Sequence, residues 1–467
     1  MELIIPPDQR GKYLYEQIYE YIKKEIKEGR MSKGERLPST RKLASSLKLS
    51  RSTVQLSYEQ LEAEGYIEGR ACKGYYISDI EALYHRGEKN FAPAAVSEKE
   101  SPPRCRVDFS PRGIDFGAFP SGIWRRLARE SFIDENKEMF AAGEGRGELA
   151  LREEISRYLH RARGVEADPE KILIGAGNEY LMLLLGLLVQ KQRIAMENPT
   201  YGKAYRVFCS MDWEVLSMDM DESGMRADLL KKSNAGFAYI MPSHQYPTGI
   251  VMPAARRREL INWALGGENR YIIEDDYDSE FRYRGRPIPA MQGMGGEECI
   301  IYTGTFSKAI APAIRAGFML LPERLMKKYE ENLSYLSCTV PKHDQNILLR
   351  FLSQGYFERH LNKMRNLYKS KQEVLLEELA DFSRDFRIHG DQAGLHLIIE
   401  SLREEDRVLA ARAMESGVRV YPISDFLIGK EEGCRRSELI LGFAALSKEE
   451  IREGCRLLKA AWGIKKR

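Results

Sequence analysis

The sequence predicts two domains of different class. A small helical domain closed by a β-hairpin comes first. An α/β domain on a mainly parallel sheet follows, with a smaller α+β lobe at its C-terminal end. Three observations carry this. Apolar residues recur at helical spacing early in the chain and give way to two short β-rich runs. From 149 to 321, short apolar runs alternate with helical segments, the pattern of parallel strands joined by crossover helices. Between these regions, residues 79–106 mix charge, alanine and proline without an apolar period, as a flexible linker does. The predicted divisions are 1–78, 79–106 and 107–467, the last split into a large lobe of about 107–330 and a small one of about 331–467.

Composition narrows the class. A length of 467 residues fits two or three domains, and 43% hydrophobic content supplies their cores. The net charge of +3 gives no overall field toward nucleic acid, so any such signal must be local. Seven scattered cysteines without a Cys-x-x-Cys pair fit unpaired thiols in a reducing compartment and offer no metal site. Residues 1–9 place prolines and charges where a signal peptide has its apolar core. The longest apolar run, 180–189, is too short to span a bilayer. The expectation is a cytoplasmic, metal-free protein.

In the first domain, Tyr15, Ile18, Ile22 and Ile26 mark a helix within 11–28 that Gly29 stops. Ser39 caps a second helix with Leu43, Ala44 and Leu47 on its buried face. After a turn at Lys48 and Leu49, Ser50 caps a third helix carrying Val54, Tyr58 and Leu61, which Gly65 ends. Residues 66–68 and 75–77 read as short strands joined by a turn with Gly69 and Gly74. Two short helices, a tight turn and a hairpin make a winged helix-turn-helix, whose second helix enters the major groove of DNA. Residues 37–58 contain no acid but hold Arg41, Lys42, Lys48 and Arg51, a local phosphate footprint. Ser50, Arg51, Thr53 and Gln55 fall on the exposed side near the start of the third helix. Arginine there can read guanine and glutamine adenine.

In the second domain, strands are expected at 172–174, 193–196, 214–216, 237–241, 271–273, 299–302 and 317–320. A charged helical stretch covers 323–380, and strands return near 386–389, 395–399 and 439–441. Residues 143–150, Gly-Glu-Gly-Arg-Gly-Glu-Leu-Ala, open a helix.

The chemistry centres on residues 303–315, Thr-Gly-Thr-Phe-Ser-Lys-Ala-Ile-Ala-Pro-Ala-Ile-Arg. A desolvated lysine loses its proton more readily and attacks carbonyls. Lys308 with Thr305, Ser307 and Arg315 is what an aldehyde cofactor with a phosphate needs: an amine for a Schiff base, hydroxyls and a guanidinium for the phosphate. Pyridoxal 5'-phosphate (PLP) also needs an acid at its ring nitrogen. Tyr-Ile-Ile-Glu-Asp-Asp-Tyr at 271–277 supplies Asp275, with Tyr277 for the phenolic oxygen, at the strand edge where open α/β sheets collect ligands. Gly175, Ala176, Gly177 and Asn178 make a strand–glycine–helix turn suited to phosphate. Tyr201 is placed to stack on the ring. The polar turn at 242–249 adds His244, Gln245 and Tyr246. Each feature alone has a plainer reading, such as a surface lysine beside a Ser/Thr turn or a strand ending in solvated acids. Their joint occurrence reverses the balance.

These segments, in this order, resemble the fold-type I aminotransferases. Pro-Ser-His-Gln-Tyr-Pro-Thr-Gly at 242–249, Glu-Asp-Asp-Tyr-Asp-Ser-Glu-Phe at 274–281 and Gly-Thr-Phe-Ser-Lys at 304–308 resemble the MocR subfamily of GntR regulators over nearly the whole chain. Leu-Pro-Ser-Thr-Arg-Lys-Leu-Ala at 37–44, Leu-Ser-Arg-Ser-Thr-Val at 49–54 and Leu-Glu-Ala-Glu-Gly-Tyr at 61–66 resemble the GntR DNA-binding domain. The resemblance implies a PLP-dependent fold-type I domain and DNA contacts at Arg41, Ser50, Arg51 and Thr53, with Gly74 in the wing. It implies a homodimer, domain-swapped head to tail, on operator DNA with repeated half-sites, and an effector that is PLP or an amine reacting with it. The wing departs from the family: Cys72-Lys73-Gly74-Tyr75 stands where Gly-Ser-Gly-Thr is frequent. Ile440 stands where aminotransferases often carry a substrate-carboxylate arginine, and Lys203 where γ-aminobutyrate-responsive relatives carry another. Arg206, Arg435 and Arg436 are candidate substitutes. An aliphatic side chain cannot make the bidentate pair of a guanidinium. These departures favour the PLP-responsive branch, concerned with vitamin B6 or amino-acid metabolism genes. The alternatives are an active aminotransferase carrying a DNA-binding domain and a plain repressor whose second domain is a dimerisation scaffold.

Overall fold

The computed structural model describes residues 13–71, 73–79, 105–132, 137–283, 289–429 and 437–464. The chain divides into two compact units, Met1–Pro102 and Pro103–Arg467. Most of the expected linker, residues 80–104, lies outside the described residues, as does Cys72 of the wing.

The first unit is three helices and a hairpin: α1 (Leu14–Lys27), α2 (Thr40–Leu47), α3 (Arg51–Ala63), β1 (Ile67–Arg70) and β2 (Gly74–Ile77). Ser39 Oγ accepts the Lys42 N–H and Ser50 Oγ the Thr53 N–H, so both expected caps form. Lys48 takes a left-handed φ of 55°, which turns the chain between α2 and α3. Ile18, Ile22, Leu43, Val54, Tyr58 and Leu61 are buried in one core. Burying such side chains contributes roughly 1.5–3 kcal/mol each. β1 and β2 pair antiparallel with Ile67 opposite Ile77.

The second unit opens with β3 (Val107–Asp108), α4 (Ser121–Ser131) and α5 (Leu149–Arg163). Next come β4 (Ile172–Gly175), α6 (Asn178–Val189), β5 (Arg193–Asn198), α7 (Gly202–Ser210), β6 (Glu214–Asp221), β7 (Gly224–Met225), α8 (Ala227–Lys232), β8 (Phe237–Ile240), α9 (Ala254–Leu265), β9 (Tyr271–Asp276), β10 (Ile300–Thr305) and β11 (Gly317–Leu320). Eight strands form one sheet in the order β4-β11-β10-β9-β8-β5-β6-β7. β10, β9, β8, β5 and β6 pair in parallel; β11 runs antiparallel to both β10 and β4, so β4 shares their direction. Gly175, Asn198, Asp276 and Thr305, the last residues of β4, β5, β9 and β10, therefore reach one edge of the sheet, where such sheets bind ligands.

The helical stretch resolves into α10 (Glu323–Asn332), α11 (Lys342–Ser353) and α12 (Tyr356–Leu379). β12 (Phe386–His389), β13 (His396–Ser401), α13 (Asp406–Glu415), β14 (Val418–Arg419), β15 (Tyr421–Pro422), β16 (Glu438–Gly442) and α14 (Lys448–Ala461) complete the chain. β12, β13, β16 and β15 form a second, antiparallel sheet in that order. Two details differ from the simplest two-lobe division. β3 pairs in parallel with β14, and Val107 and Phe109 pack with the C-terminal core, so the opening segment joins the smaller lobe. Ile347, Leu348 and Phe351 of α11 pack instead with the core of the larger one.

Candidate functional site

β10 delivers Thr305 to the sheet edge, and the chain then turns tightly. Thr305 Oγ1 donates to Ser307 Oγ at 3.0 Å and accepts the Ser307 N–H at 3.2 Å. Lys308 follows, and its Nζ donates to the Pro111 carbonyl at 3.0 Å. Burial lowers its pKa to about 8; the Arg112 charge adds to the shift and Asp278 opposes it. An amine in that range carries a substantial neutral fraction at physiological pH, as a carbonyl nucleophile needs.

β9 explains why one acid of three faces the cleft. Side chains alternate along a strand, so Glu274 and Asp276 share one face and Asp275 takes the other. Glu274 accepts the Met291 and Gln292 N–H groups at 2.9 and 3.1 Å. Asp276 accepts the Arg163 Nε–H at 2.7 Å and the Tyr302 hydroxyl. Glu274 is thereby taken up by the scaffold through both oxygens and Asp276 through Oδ2, on the face turned away from the cleft. Asp275 Oδ2 accepts from Asn178 Nδ2 at 2.7 Å and from the Tyr239 hydroxyl. Its Oδ1 is buried and has no hydrogen-bond partner among the described residues. Burial raises the Asp275 pKa to about 7.

Gly177 precedes α6 with φ of +89°, and a Cβ there would lie 2.5 Å from Arg315 Nη2. Only glycine permits both the backbone and that approach. Arg315 Nη2 donates to the Ala176 carbonyl at 2.9 Å and to Glu179 Oε2 at 3.0 Å. Lys203 Nζ meets the other Glu179 oxygen at 3.0 Å. Burial would raise the Glu179 pKa, but its own backbone amide, Lys203 and Arg315 outweigh it and bring the group to about 2.

Asn178, Tyr201, Tyr246, Asp275, Tyr277, Thr305, Ser307, Lys308 and Arg315 line one cleft of about 210 Å³ together with Pro111, Arg112, Glu179 and Lys203. Tyr201 and Tyr246 meet edge to face, 6.0 Å between centroids. The other sequence-selected residues stand behind this lining. His244 is buried with Nδ1 2.9 Å from both Tyr277 Oη and Asp278 Oδ2, so it orients Tyr277 from behind. Gln245 donates to the Pro199 carbonyl at 2.9 Å and accepts the Thr248 N–H at 3.0 Å, which builds the 242–249 turn. In the glycine turn, the Ala176 N–H is engaged by Thr339 Oγ1 at 2.9 Å and the Gly177 N–H by the Gly175 carbonyl at 2.7 Å. Those two amides are therefore satisfied within the chain, and Gly175 and Gly177 contribute conformation. Ile440 is fully buried in β16, Arg206 is exposed outside the cleft lining, and Arg435 and Arg436 lie outside the described residues.

Sequence reasoning missed Tyr239, Thr339, Glu179, Pro111 and Arg112. Tyr239 was readable only as a strand residue and Glu179 only as the first-turn acid of the helix after the glycine turn, while Pro111, Arg112 and Thr339 arrive from distant segments with no local motif.

PLP fits this cleft on the structure's own terms. A buried carboxylate oxygen without a partner suits a protonated ring nitrogen, and two hydroxyls with a guanidinium beside a helix N-terminus suit a phosphate. A depressed lysine between them suits the aldehyde.

In the first unit, Arg41 and Arg51 are exposed, on α2 and at the start of α3. Ser50 Oγ lies 2.7 Å from Thr53 Oγ1, so these two hydroxyls pre-shape the helix start. Gln55 Nε2 donates to Glu59 Oε1 at 2.9 Å. Gly74 has φ of +97° and sits against the Arg36 guanidinium, so a basic side chain accompanies the hairpin turn.

Comparisons with known proteins agree with both halves. Residues 14–77 match the family model described as bacterial regulatory proteins, gntR family, and residues 118–458 match aminotransferase class I and II. The chain is 35% identical to the uncharacterized HTH-type transcriptional regulator YdeL of Bacillus subtilis, covering 97% of each. It is 31% identical to the probable rhizopine catabolism regulatory protein MocR of Rhizobium meliloti, covering 96% of this chain and 94% of that one. It is 29% identical to the HTH-type pyridoxine biosynthesis transcriptional regulator PdxR of Corynebacterium glutamicum, covering 93% of each. Among solved structures, the multiple substrate aminotransferase of Thermococcus profundus superposes with a TM-score of 0.69 at 25% identity, covering 78% of this chain and 92% of that one.

Proposed function

Since the chain belongs to the MocR subfamily, in which a gntR-type DNA-binding domain precedes an aminotransferase class I and II domain, we propose that it is a PLP-dependent transcriptional regulator that senses PLP itself or an amine reacting with it. The observation that carries the reading is Asp275 Oδ1, a buried carboxylate oxygen without a hydrogen-bond partner among the described residues, in the same cleft as Lys308. A dimerisation scaffold has no need of that arrangement, because an unpaired buried polar atom costs stability.

Each residue has a role in this reading. When bound, PLP supplies an aldehyde and an electron-withdrawing ring. Asp275, held by Asn178 and Tyr239, keeps a proton on the ring nitrogen. Tyr201 stacks, and Tyr277, steadied by His244, meets the phenolic oxygen. Thr305, Ser307, Arg315 and the start of α6 at Asn178 hold the phosphate. Lys308, whose amine rests on the Pro111 carbonyl, is the covalent attachment point.

On the DNA side, Arg41, Ser50, Arg51, Thr53 and Gln55 make the contacts of α2 and α3, with Gly74 shaping the wing. The working molecule is a cytoplasmic homodimer, domain-swapped head to tail, on paired half-sites. Ligand in the cleft changes the spacing of its winged helices, which is allostery if ligand affinity differs between the two arrangements. The boundaries of this reading are 1–78 for DNA, 79–106 for the tether and 107–467 for sensing. The targets are vitamin B6 or amino-acid metabolism genes, and the name of PdxR, a regulator of pyridoxine biosynthesis, supports the first.

The test is spectroscopic. PLP added to the stripped protein should give the absorbance of a lysine-linked cofactor, and Lys308→Ala should abolish it while DNA binding persists. A wild-type protein without that absorbance contradicts the reading.

A further inference from the structure

Ile440, the position at which an aminotransferase arginine is expected, is fully buried in β16, pairs with Ile398 and Tyr421 across the sheet, and belongs to an apolar core. The cleft nevertheless has another source of guanidinium. The segment 109–113 crosses β16 two residues beyond Ile440: Phe109 accepts the Gly442 N–H at 2.9 Å, and Gly442 lies against the Ser110 carbonyl too closely for a side chain. Gly113 is pressed on Ala445, where a Cβ would come within 2.5 Å of the alanine methyl. This clamped segment sends the Pro111 carbonyl to Lys308 Nζ at 3.0 Å and places the next residue, Arg112, in the cleft lining.

The cleft's cations are not equivalent. Lys203 and Arg315 both pair with Glu179 at 3.0 Å. Arg112 makes no ion pair among the described residues, and its field reaches Lys308, Tyr201 and Tyr246. A guanidinium without a counter-charge among the described residues, set beside the reactive amine, presents the fork that binds a carboxylate bidentately.

We propose that Arg112 is the acid anchor of the effector site, so that the cleft selects amines that also carry a carboxylate. The assignment rests on the PLP-sensing reading above and names the substrate class of that site. Arg112 determines specificity: it holds the acid group so that the amine end points at Lys308. The guanidinium that Ile440 does not offer on the C-terminal strand comes from the segment that crosses it.

The experiment uses full-length protein loaded with PLP, and follows cofactor absorbance during titration with matched pairs: L-alanine and β-alanine against ethylamine, γ-aminobutyrate against propylamine. A charge-assisted pair is worth about tenfold to a hundredfold in affinity. At least one acid should bind the wild type tighter than its decarboxylated partner by that factor. Arg112→Gln should remove the preference by weakening the acid and sparing the amine, and Arg112→Lys should restore part of it. The assignment is overturned if the wild type shows no acid preference, or if R112Q keeps one. It is also overturned if R112Q no longer loads PLP, since Arg112 would then serve the cofactor. A wild type that fails to load PLP overturns the functional reading, and this assignment with it.

Discussion

Replacing Asp275 by asparagine should move cofactor affinity and apo-protein stability in opposite directions. The asparagine keeps the size of the side chain. Its oxygen can still accept from Asn178 and Tyr239, while its NH₂ replaces the unpartnered Oδ1. In the apo-protein, burial holds Asp275 up from 3.8 to about 7. An acid whose folded pKa is raised stabilises fully below its unfolded pKa, and that contribution is lost as pH rises toward the folded value. Wild-type apo-protein therefore loses stability from this group between pH 3.8 and about 7. At ~1.4 kcal/mol per unit, the group's contribution falls by about 2 kcal/mol between roughly pH 5.5 and 7. The variant lacks this loss. Thermal melts of both apo-proteins at roughly pH 5.5 and 8 should show Asp275→Asn gaining on the wild type at the higher pH. PLP titration should show the reverse: without the charge on the ring nitrogen, affinity falls by about 1.5–3 kcal/mol. A variant that binds PLP like the wild type refutes the role of Asp275. One that melts well below the wild type at high pH refutes the claim that the charge is a burden on the apo-protein.

Other substitutions probe other parts of the account. Lys308→Ala should fold, because it removes a buried amine, yet lose the lysine-linked absorbance and all response to amines; unchanged regulation in cells would contradict the mechanism. In the wild type, cofactor attachment should quicken as pH rises through about 8, where the Lys308 amine deprotonates, as stopped-flow absorbance would record. Gly177→Ala meets a left-handed backbone and the Arg315 guanidinium at once; the backbone term alone costs about 1–2 kcal/mol. Displaced Arg315 should weaken PLP more than pyridoxal, which has no phosphate, in parallel titrations. Arg51→Ala should weaken binding to operator DNA by about 1–3 kcal/mol if it reads a base; equal loss on unrelated DNA would make it a phosphate contact.

Much of this was legible in the sequence, for a physical reason. A parallel sheet delivers strand ends to one edge, so Asp275, Thr305, Ser307 and Lys308 could be placed together from local motifs alone. Ser39 and Ser50 announced their helices because capping is a local interaction. What escaped depends on contacts between distant segments. Thr339 engages Ala176 across 163 positions, and Pro111 meets Lys308 across 197. No spacing rule encodes such pairs. β3 and β14 are two residues each, too short to carry a period, so the link between the opening segment and the smaller lobe stayed hidden. The competition of Glu179 for Arg315 and Lys203 was equally invisible, since Glu179 reads only as the first-turn acid of a helix.

The central claim is that the cleft governs DNA binding through its cofactor. Its most direct test is binding of the full-length protein to its own upstream DNA, with PLP stripped and then restored. Affinity or footprint should change with PLP, alone or with an added amine. The same footprint and affinity in the stripped, PLP-loaded and amine-treated protein would contradict it.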